Sequence, residues 1–524
     1  MPFPIFIPRK PADNGLFTTF NPYIPFKSLK SEPSMASQVL NRKLGLAGLM
    51  ATGICSMIGA SINVVPFMIQ RNVPGIGPYV LPAFLFAALP ALLAAAAYGL
   101  LSTAMPRAGG SYVYVSRGFS PYLGFIASFS QWFGLSIVIG VVAYIIVPFL
   151  RDVARAAGWE GLAEGLEIGA VRLGLSLFLL WLFVWVNIRG ASLYEKTVVP
   201  LMVLMFLLGG IVIVSGYSFG HDDFAQALLQ REGRTTDLST DVPFDFKTFL
   251  SAAALLFASF IGFDSIAQAG GEARNPTRNL PLATGLTIGI VGAYYMLFTG
   301  AVYHAVPYQF VAQEAQAGDI SAPGLLGYLL PSGLTVAIVA GAAVALTNDL
   351  PAMLLSVSRL MFAWSEDGIF PKPMARVHPK HHTPHIALLA SGAMATIGIL
   401  GSHLAGDYFL GIDIMVTSMM VNFLLVCATL VAIEWKNPVL AGEIQIVRTK
   451  KARRWIGGAG VVVMLFFLSI HTYKDLSSDA KAWYFHSTPV WLIVMGVGSL
   501  VFYNKYRSMK QAGIDSREIF QSLP

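Results

Sequence analysis

The sequence predicts an all-α protein that crosses a lipid bilayer twelve times. Three observations predict it. Of 524 residues, 55% are hydrophobic and only 12% charged, with a mean hydropathy of +0.64. A water-soluble domain carries about 25% charged residues, and half of that cannot cover the surface of a soluble chain this long. The apolar residues also fall in blocks of spanning length, since about 20 helical residues at 1.5 Å each cross roughly 30 Å of hydrocarbon. Finally, the lysines and arginines between the blocks fall mostly on one side, as they do in membrane proteins.

The elements follow in order. Residues 1–34 hold seven prolines and no apolar run of signal-peptide length, so 1–40 reads as a disordered cytoplasmic extension, with Met35 an alternative start because MASQVLNRK leads straight into the first block. The first crossing is expected at 44–69, between Lys43 and Arg71, and the second at 79–104, closed by Arg107. The third occupies 119–150, between Arg117 and Arg151, the fourth 170–188, closed by Arg189, and the fifth 197–219, after Lys196. The longest connection, Ser218 to Asp245, carries HDD and REGR and is expected to lie in water. The sixth crossing spans 247–271, the seventh 280–306 and the eighth 332–365. The ninth spans 384–403, the tenth 408–435, the eleventh 456–473 and the twelfth 488–506. Residues 508–524 follow as a cytoplasmic tail.

With the N-terminus inside, 26 of the 35 lysines and arginines fall on the cytoplasmic side and 9 outside, which predicts both termini in the cytoplasm. The net charge of +7 is therefore a mark of topology, and nucleic acid is not indicated. Cys55 and Cys427 lie inside apolar blocks, with no disulfide framework and no metal-ligand spacing around them. His378, His381, His382 and His385 form an HxxHHxxH cluster in the loop after the eighth crossing, expected to be structural. The basic run 448–454 (RTKKARR) reads as a topology anchor facing anionic headgroups. No H-E-x-x-H metal motif and no Gly-Lys dipeptide occurs, so a zinc enzyme and a P-loop ATPase are excluded and no cofactor is expected.

One internal repeat stands out. The first crossing contains Ser56-Met57-Ile58-Gly59-Ala60-Ser61-Ile62, and the sixth contains Ser259-Phe260-Ile261-Gly262-Phe263-Asp264-Ser265-Ile266. Both read S-x-I-G followed closely by S-I at mid-block. Gly-interrupted helices at corresponding positions of two halves point to a binding site at the bilayer midplane, because a broken helix bares backbone groups that something must satisfy. The half-helix N-terminus favours an anion there. The plainer alternative is that Gly59 and Gly262 only let helices pack closely.

Further stretches carry a family likeness. Met105-Pro-Arg-Ala-Gly-Gly-Ser-Tyr-Val-Tyr-Val115, Ile54 to Pro66, Ile261-Gly-Phe-Asp264 with Gly271-Glu-Ala-Arg-Asn-Pro276, and Ser358-Arg-Leu360 leading to Glu366-Asp-Gly-Ile-Phe-Pro371 together resemble the amino acid–polyamine–organocation superfamily over roughly residues 40–436. The resemblance implies two inverted five-helix repeats (about 41–220 and 240–436) with discontinuous helices 1 and 6, plus accessory helices 11 and 12 in 437–507. It also implies transport of amino acids or related amines by alternating access, as proton- or cation-coupled symport or as exchange. A channel or receptor on the same fold would lack that alternation. Carried over to this chain, the substrate carboxylate meets backbone N–H groups near Gly59, Ala60 and Ser61, and its ammonium meets carbonyls near Met57, Ala258 and Ile261. The chain departs from the pattern at Ser61, Asn63 and Ala258. The last stands where many relatives carry a gating aromatic, with Phe257 and Phe260 as the neighbouring substitutes.

Three carboxylates fall within the blocks, where each costs about 2.5–3.5 kcal/mol to insert. Asp349, beside Asn348 and Thr347 near the middle of the eighth crossing, is the candidate for ion coupling, by taking a proton, binding sodium or pairing with a cationic substrate. The alternative is a cap on a local break made by Pro351. Asp264 is a candidate for gating or proton sensing, and Asp413 is expected to be solvated. Gln131 and Trp132 either line the pocket or merely pack.

Overall fold

The computed structural model describes residues 40–236, 242–318, 320–405, 409–478, 482–513 and 516–523. Eleven helices among them are long and apolar enough to cross a membrane. The first crossing makes the twelfth and comes in three pieces: α1 (Leu46–Met57), α2 (Ala60–Asn63) and α3 (Val65–Asn72). A 12-residue α1 reaches only about 18 Å, so the pieces must work together to span. After it come α4 (Val80–Ala104), the short α5 (Gly110–Gly118), and α6 (Pro121–Ala156). The chain continues through α7 (Glu160–Glu167), α8 (Gly169–Ile188), α9 (Ala191–Ser218) and α10 (His221–Glu232).

The sixth crossing is also interrupted. α11 (Phe246–Leu256) runs into a 3-10 turn at Phe257–Phe260, then an extended Ile261, and restarts as α12 (Ser265–Gln268). Then come α13 (Pro276–Ala305), α14 (Tyr308–Ala317), α15 (Ala322–Leu326) and the 35-residue α16 (Ser332–Glu366). α17 (His385–Ala405), α18 (Phe409–Lys436), α19 (Pro438–Gly442), α20 (Lys450–Leu476), α21 (Ser487–Gln511) and α22 (Ser516–Gln521) complete the order. No strand occurs among the described residues; two isolated bridges, Leu44 with Ala273 and Ala108 with Ala269, tie loops together.

α6 is the central post, packed along α16, α17 and α18. At 36 and 35 residues, α6 and α16 are each roughly 50 Å long, more than the roughly 30 Å of hydrocarbon, so both lean or project beyond it. The apolar stretches of α6, α16, α18 and the sixth crossing are mostly buried, whereas those of α8, α9, α20 and α21 mostly face outward, where lipid satisfies them.

Leu44, before α1, and Ser522, after α22, lie at one face, here the terminal face, where the elements are tightly joined. The Leu44 N–H donates to the Glu272 carbonyl and the Arg274 N–H to that of Leu44, both at 2.9 Å. Arg359 of α16 and Glu272 form an ion pair at 2.7 Å with both side chains 1% exposed. The Gly109 N–H donates to the Gln268 carbonyl at 3.2 Å, and a Cβ on Gly110 would stand 2.7 Å from the Ala267 backbone, so α5 lies tight against α12.

The connection after Ser218 is not wholly irregular. It contains the helix α10, whose Phe224 and Leu228, four residues apart on one face, are buried. Phe224 meets the rings of Phe310 (4.8 Å) and Tyr328 (5.6 Å). Its charged residues mask a buried apolar stripe.

Candidate substrate and ion site

Both interruptions have a local cause. Ile58 is extended (φ −96°, ψ 98°) and ends α1; Gly262 has φ +134°, a conformation L side chains rarely adopt. A side chain on Gly262 would run into the Ser56 carbonyl, so the two broken helices touch backbone to backbone at their breaks. The groups freed there find internal partners. The Asn63 amide donates to the Gly59 carbonyl at 3.1 Å, and the Tyr295 hydroxyl of α13 donates to the Met57 carbonyl.

A cavity of about 50 Å³ lies where the breaks meet. From the two broken helices and α16 it is bordered by Ser56, Met57, Ala258, Ile261 and Asp349. The Ser56 hydroxyl is buried there without a partner among the described residues. The rest of the lining is mostly aliphatic and includes Val138, Val141, Val142 and Ile145 from α6 and Ile412 and Met415 from α18. Among the described residues, no acidic residue other than Asp349 borders the cavity.

Asp349 is 3% exposed and packs against Gly59, where any side chain would collide with its carboxylate. α16 runs unbroken through Asp349 and Pro351. The carboxylate therefore does not cap a break in its own helix; it reaches across to the break in the first crossing. The adjacent Asn348 points elsewhere, donating to Cys55 Sγ at 2.8 Å and to the Val198 carbonyl at 3.3 Å.

Asp264 lies outside the cavity, fully buried, in a polar cluster. It accepts from the Gly262 N–H at 3.2 Å and from the Gln131 Nε2 amide of α6. Gln131 Oε1 in turn accepts from Ser111 Oγ (2.6 Å), Gln268 Nε2 (3.2 Å) and Asn422 Nδ2 (3.2 Å), and Asn422 also donates to the Tyr98 hydroxyl at 2.7 Å. With three donors on its oxygen, the Gln131 amide can present only its NH2 group to Asp264. The cluster joins α4, α5, α6, α12 and α18 directly below the break in the sixth crossing.

The structure thus brings Met57, Gly59, Ala258, Ile261 and Asp349 together. Ala60 and Ser61 begin the turn after the first break, and their side chains lie outside the described residues. Phe257 and Phe260 do not border the cavity. Phe257 packs on Phe423 and Phe467, and Phe260 on Phe84 and Tyr295. Trp132 packs, stacking on Phe129 and donating to Ser391 Oγ at 3.2 Å. The histidines form a turn in which His378 Nδ1 accepts from the N–H groups of Lys380 and His381, each at 3.2 Å, and no metal-holding cluster occurs among the described residues. Sequence reasoning passed over Ser56, Tyr295, Asn422 and the valines of α6. The valines recur at helical spacing, as lipid-facing residues also do, while Ser56 was in plain view at the head of the repeat.

Residues 44–497 match the family described as amino acid permease. The chain belongs to that family. Among characterised relatives, the permease is 27% identical over 384 residues to the branched-chain amino acid permease of Bacillus subtilis (strain 168), covering 69% of this chain and 75% of the relative. It is 27% identical over 375 residues to the cationic amino acid transporter 4 of Homo sapiens, covering 69% and 56%. It is 25% identical over 398 residues to the methylthioribose transporter of Bacillus subtilis (strain 168), covering 72% and 78%. The permease is a multi-pass membrane transporter, and its interrupted helices are the setting in which a mid-membrane site can form.

Proposed function

We propose that the permease carries amino acids with apolar side chains across the cell membrane by alternating access, as a proton- or cation-coupled symporter, with its terminal face in the cytoplasm. The observation that carries this reading is the cavity itself, bordered by the two broken helices and the Asp349 carboxylate and otherwise by mostly aliphatic side chains of α6 and α18. A zwitterion fits that polarity. Its carboxylate faces backbone N–H groups near Gly59, Ala60 and Ser61, its ammonium faces the Met57, Ala258 and Ile261 region, and its side chain rests on Val138, Val142 and Ile412. A lysine or arginine side chain finds no acidic partner on that wall, which favours the branched-chain relative's class over the cationic one's. Asp349, set against the broken helix, is the coupling group. The division into two five-helix repeats and two accessory helices belongs to the same reading.

Coupling is energetically adequate, because one charge moving down 100 mV yields about 2.3 kcal/mol, roughly fifty-fold accumulation. The test is reconstitution in vesicles with imposed proton or sodium gradients. Radiolabelled leucine, isoleucine or valine is expected to accumulate, and lysine is not. Asp349→Asn is expected to remove gradient-driven accumulation. Exchange without accumulation in the unaltered protein would make it an antiporter, and accumulation by Asp349→Asn would remove the role given to that residue.

A further inference from the structure

At the terminal face, a segment of this chain covers a buried cation that serves neither the cavity nor the polar cluster beneath it. Arg117, in the last turn of α5, has a wholly buried side chain. Its two terminal nitrogens grip Asp367, the residue that follows α16, at 2.5 and 2.7 Å, and the Tyr112 hydroxyl donates to the same carboxylate at 2.6 Å. This pair fastens α5 to α16. Of the donors left over, Nη1 also donates to Ser116 Oγ at 2.8 Å, and the end of α22 takes the others: Nε donates to the Ser522 carbonyl at 3.3 Å and Nη2 to the Ile519 carbonyl at 3.4 Å. Asn437, just after α18, donates both to the Arg117 carbonyl and to the Gln521 carbonyl, each at 3.3 Å. The Phe520 ring, 5% exposed, lies 5.4 Å from the guanidinium, which also faces the Tyr112 ring at 5.6 Å.

The chemistry is complementary. The last carbonyls of a helix have no partner within it, and a buried guanidinium with spare donors needs acceptors. The three backbone bonds are long, at the weak end of the hydrogen-bond range, as a releasable contact requires. The covered element is the one that seals the terminal face, since α5 lies tight against α12 through Gly109, Gly110 and the Ala108–Ala269 bridge. We propose that residues 519–523 are an autoregulatory latch that docks on Arg117 and Asn437, holds α5 shut against α12 and α16, and slows opening of the terminal face until it lets go.

The test compares the full chain with a truncation after Gly513 and with Phe520→Ala, which keeps the chain length and removes the ring. Hydrogen exchange of the 107–118 backbone reads the seal directly and needs no substrate, so it stands apart from the transport reading; exchange of labelled leucine across vesicles reads the rate. Release is expected to raise hydrogen exchange in 107–118 about tenfold and to raise the transport rate several-fold. A synthetic peptide of residues 514–524 added to the truncated protein is expected to restore both. Unchanged protection of 107–118 in both variants overturns the latch. So does faster hydrogen exchange with a lower transport rate in Phe520→Ala, which would make the segment a mere support.

Discussion

Gly262 and Gly59 are the residues on which the two breaks depend, and each is fixed by a different neighbour. At Gly262 the backbone itself forbids a side chain: φ is +134° and the Ser56 carbonyl occupies the space. Gly262→Ala is expected to cost about 1–3 kcal/mol in backbone strain and about 1–3 kcal/mol in overpacking, read as a lowered unfolding midpoint in detergent. At Gly59 the obstacle is the end of a side chain, the Asp349 carboxylate. Gly59→Ala is therefore expected to displace that carboxylate and abolish gradient-driven uptake with a smaller loss of stability; uptake at the normal rate would show that the contact is not needed. The Gly-containing repeat pointed to both residues, because a glycine motif recurring at mid-block in two crossings is compatible with a break as well as with close packing. What each glycine faces was not legible, since Asp349 is nearly three hundred residues away along the chain.

At the scale of elements, the terminal-face seal turns on the buried Arg359–Glu272 pair. Removing one partner leaves a buried charge, so Glu272→Ala is expected to cost about 3–5 kcal/mol, whereas Arg359→Met with Glu272→Met is expected to be near neutral or stabilising in thermal unfolding. If the double variant is as unstable as the single, the pair's geometry and not its uncompensated charge is at fault. A second element-level case is the start of α11. Asp245 accepts from Thr248 N at 2.7 Å and from Thr248 Oγ1 at 2.6 Å, and these bonds hold its carboxyl below the usual range. A lowered native value means that the cap stabilises the helix above the ordinary aspartate range and is lost only as pH falls through the lowered value. Hydrogen exchange of residues 246–249 should therefore accelerate on acidification below the ordinary range, and Asp245→Ala should exchange fast at every pH.

For the whole molecule, the distribution of positive charge predicts an orientation that labelling can check. Cys55 and Cys427 are fully buried, so an impermeant maleimide has no native target in the folded protein. A cysteine at Ala512 is expected to label only from the cytoplasm and one at Gln230 only from outside; the reverse pattern would invert the topology. Crossings and their order were legible because a hydrophobic span is a local property, read within about 20 residues. α10 was not, because Phe224 and Leu228 are two apolar positions in a charged stretch. The polar cluster was half legible: Asp264 stood out as a carboxylate and Gln131 as an amide in apolar blocks, while Asn422 and Tyr98 are neutral, lie on other helices and meet Gln131 only once those helices pack.

The Tyr295 hydroxyl bound to the Met57 carbonyl bears on the ammonium position proposed above. A carbonyl oxygen has two lone pairs, and this hydrogen bond takes one of them and leaves the other for a second donor. On the proposed reading an arriving ammonium therefore joins the hydroxyl at that oxygen without displacing it. The same hydrogen bond ties α13 to the end of α1, so the position of the carbonyl is set before any ligand arrives.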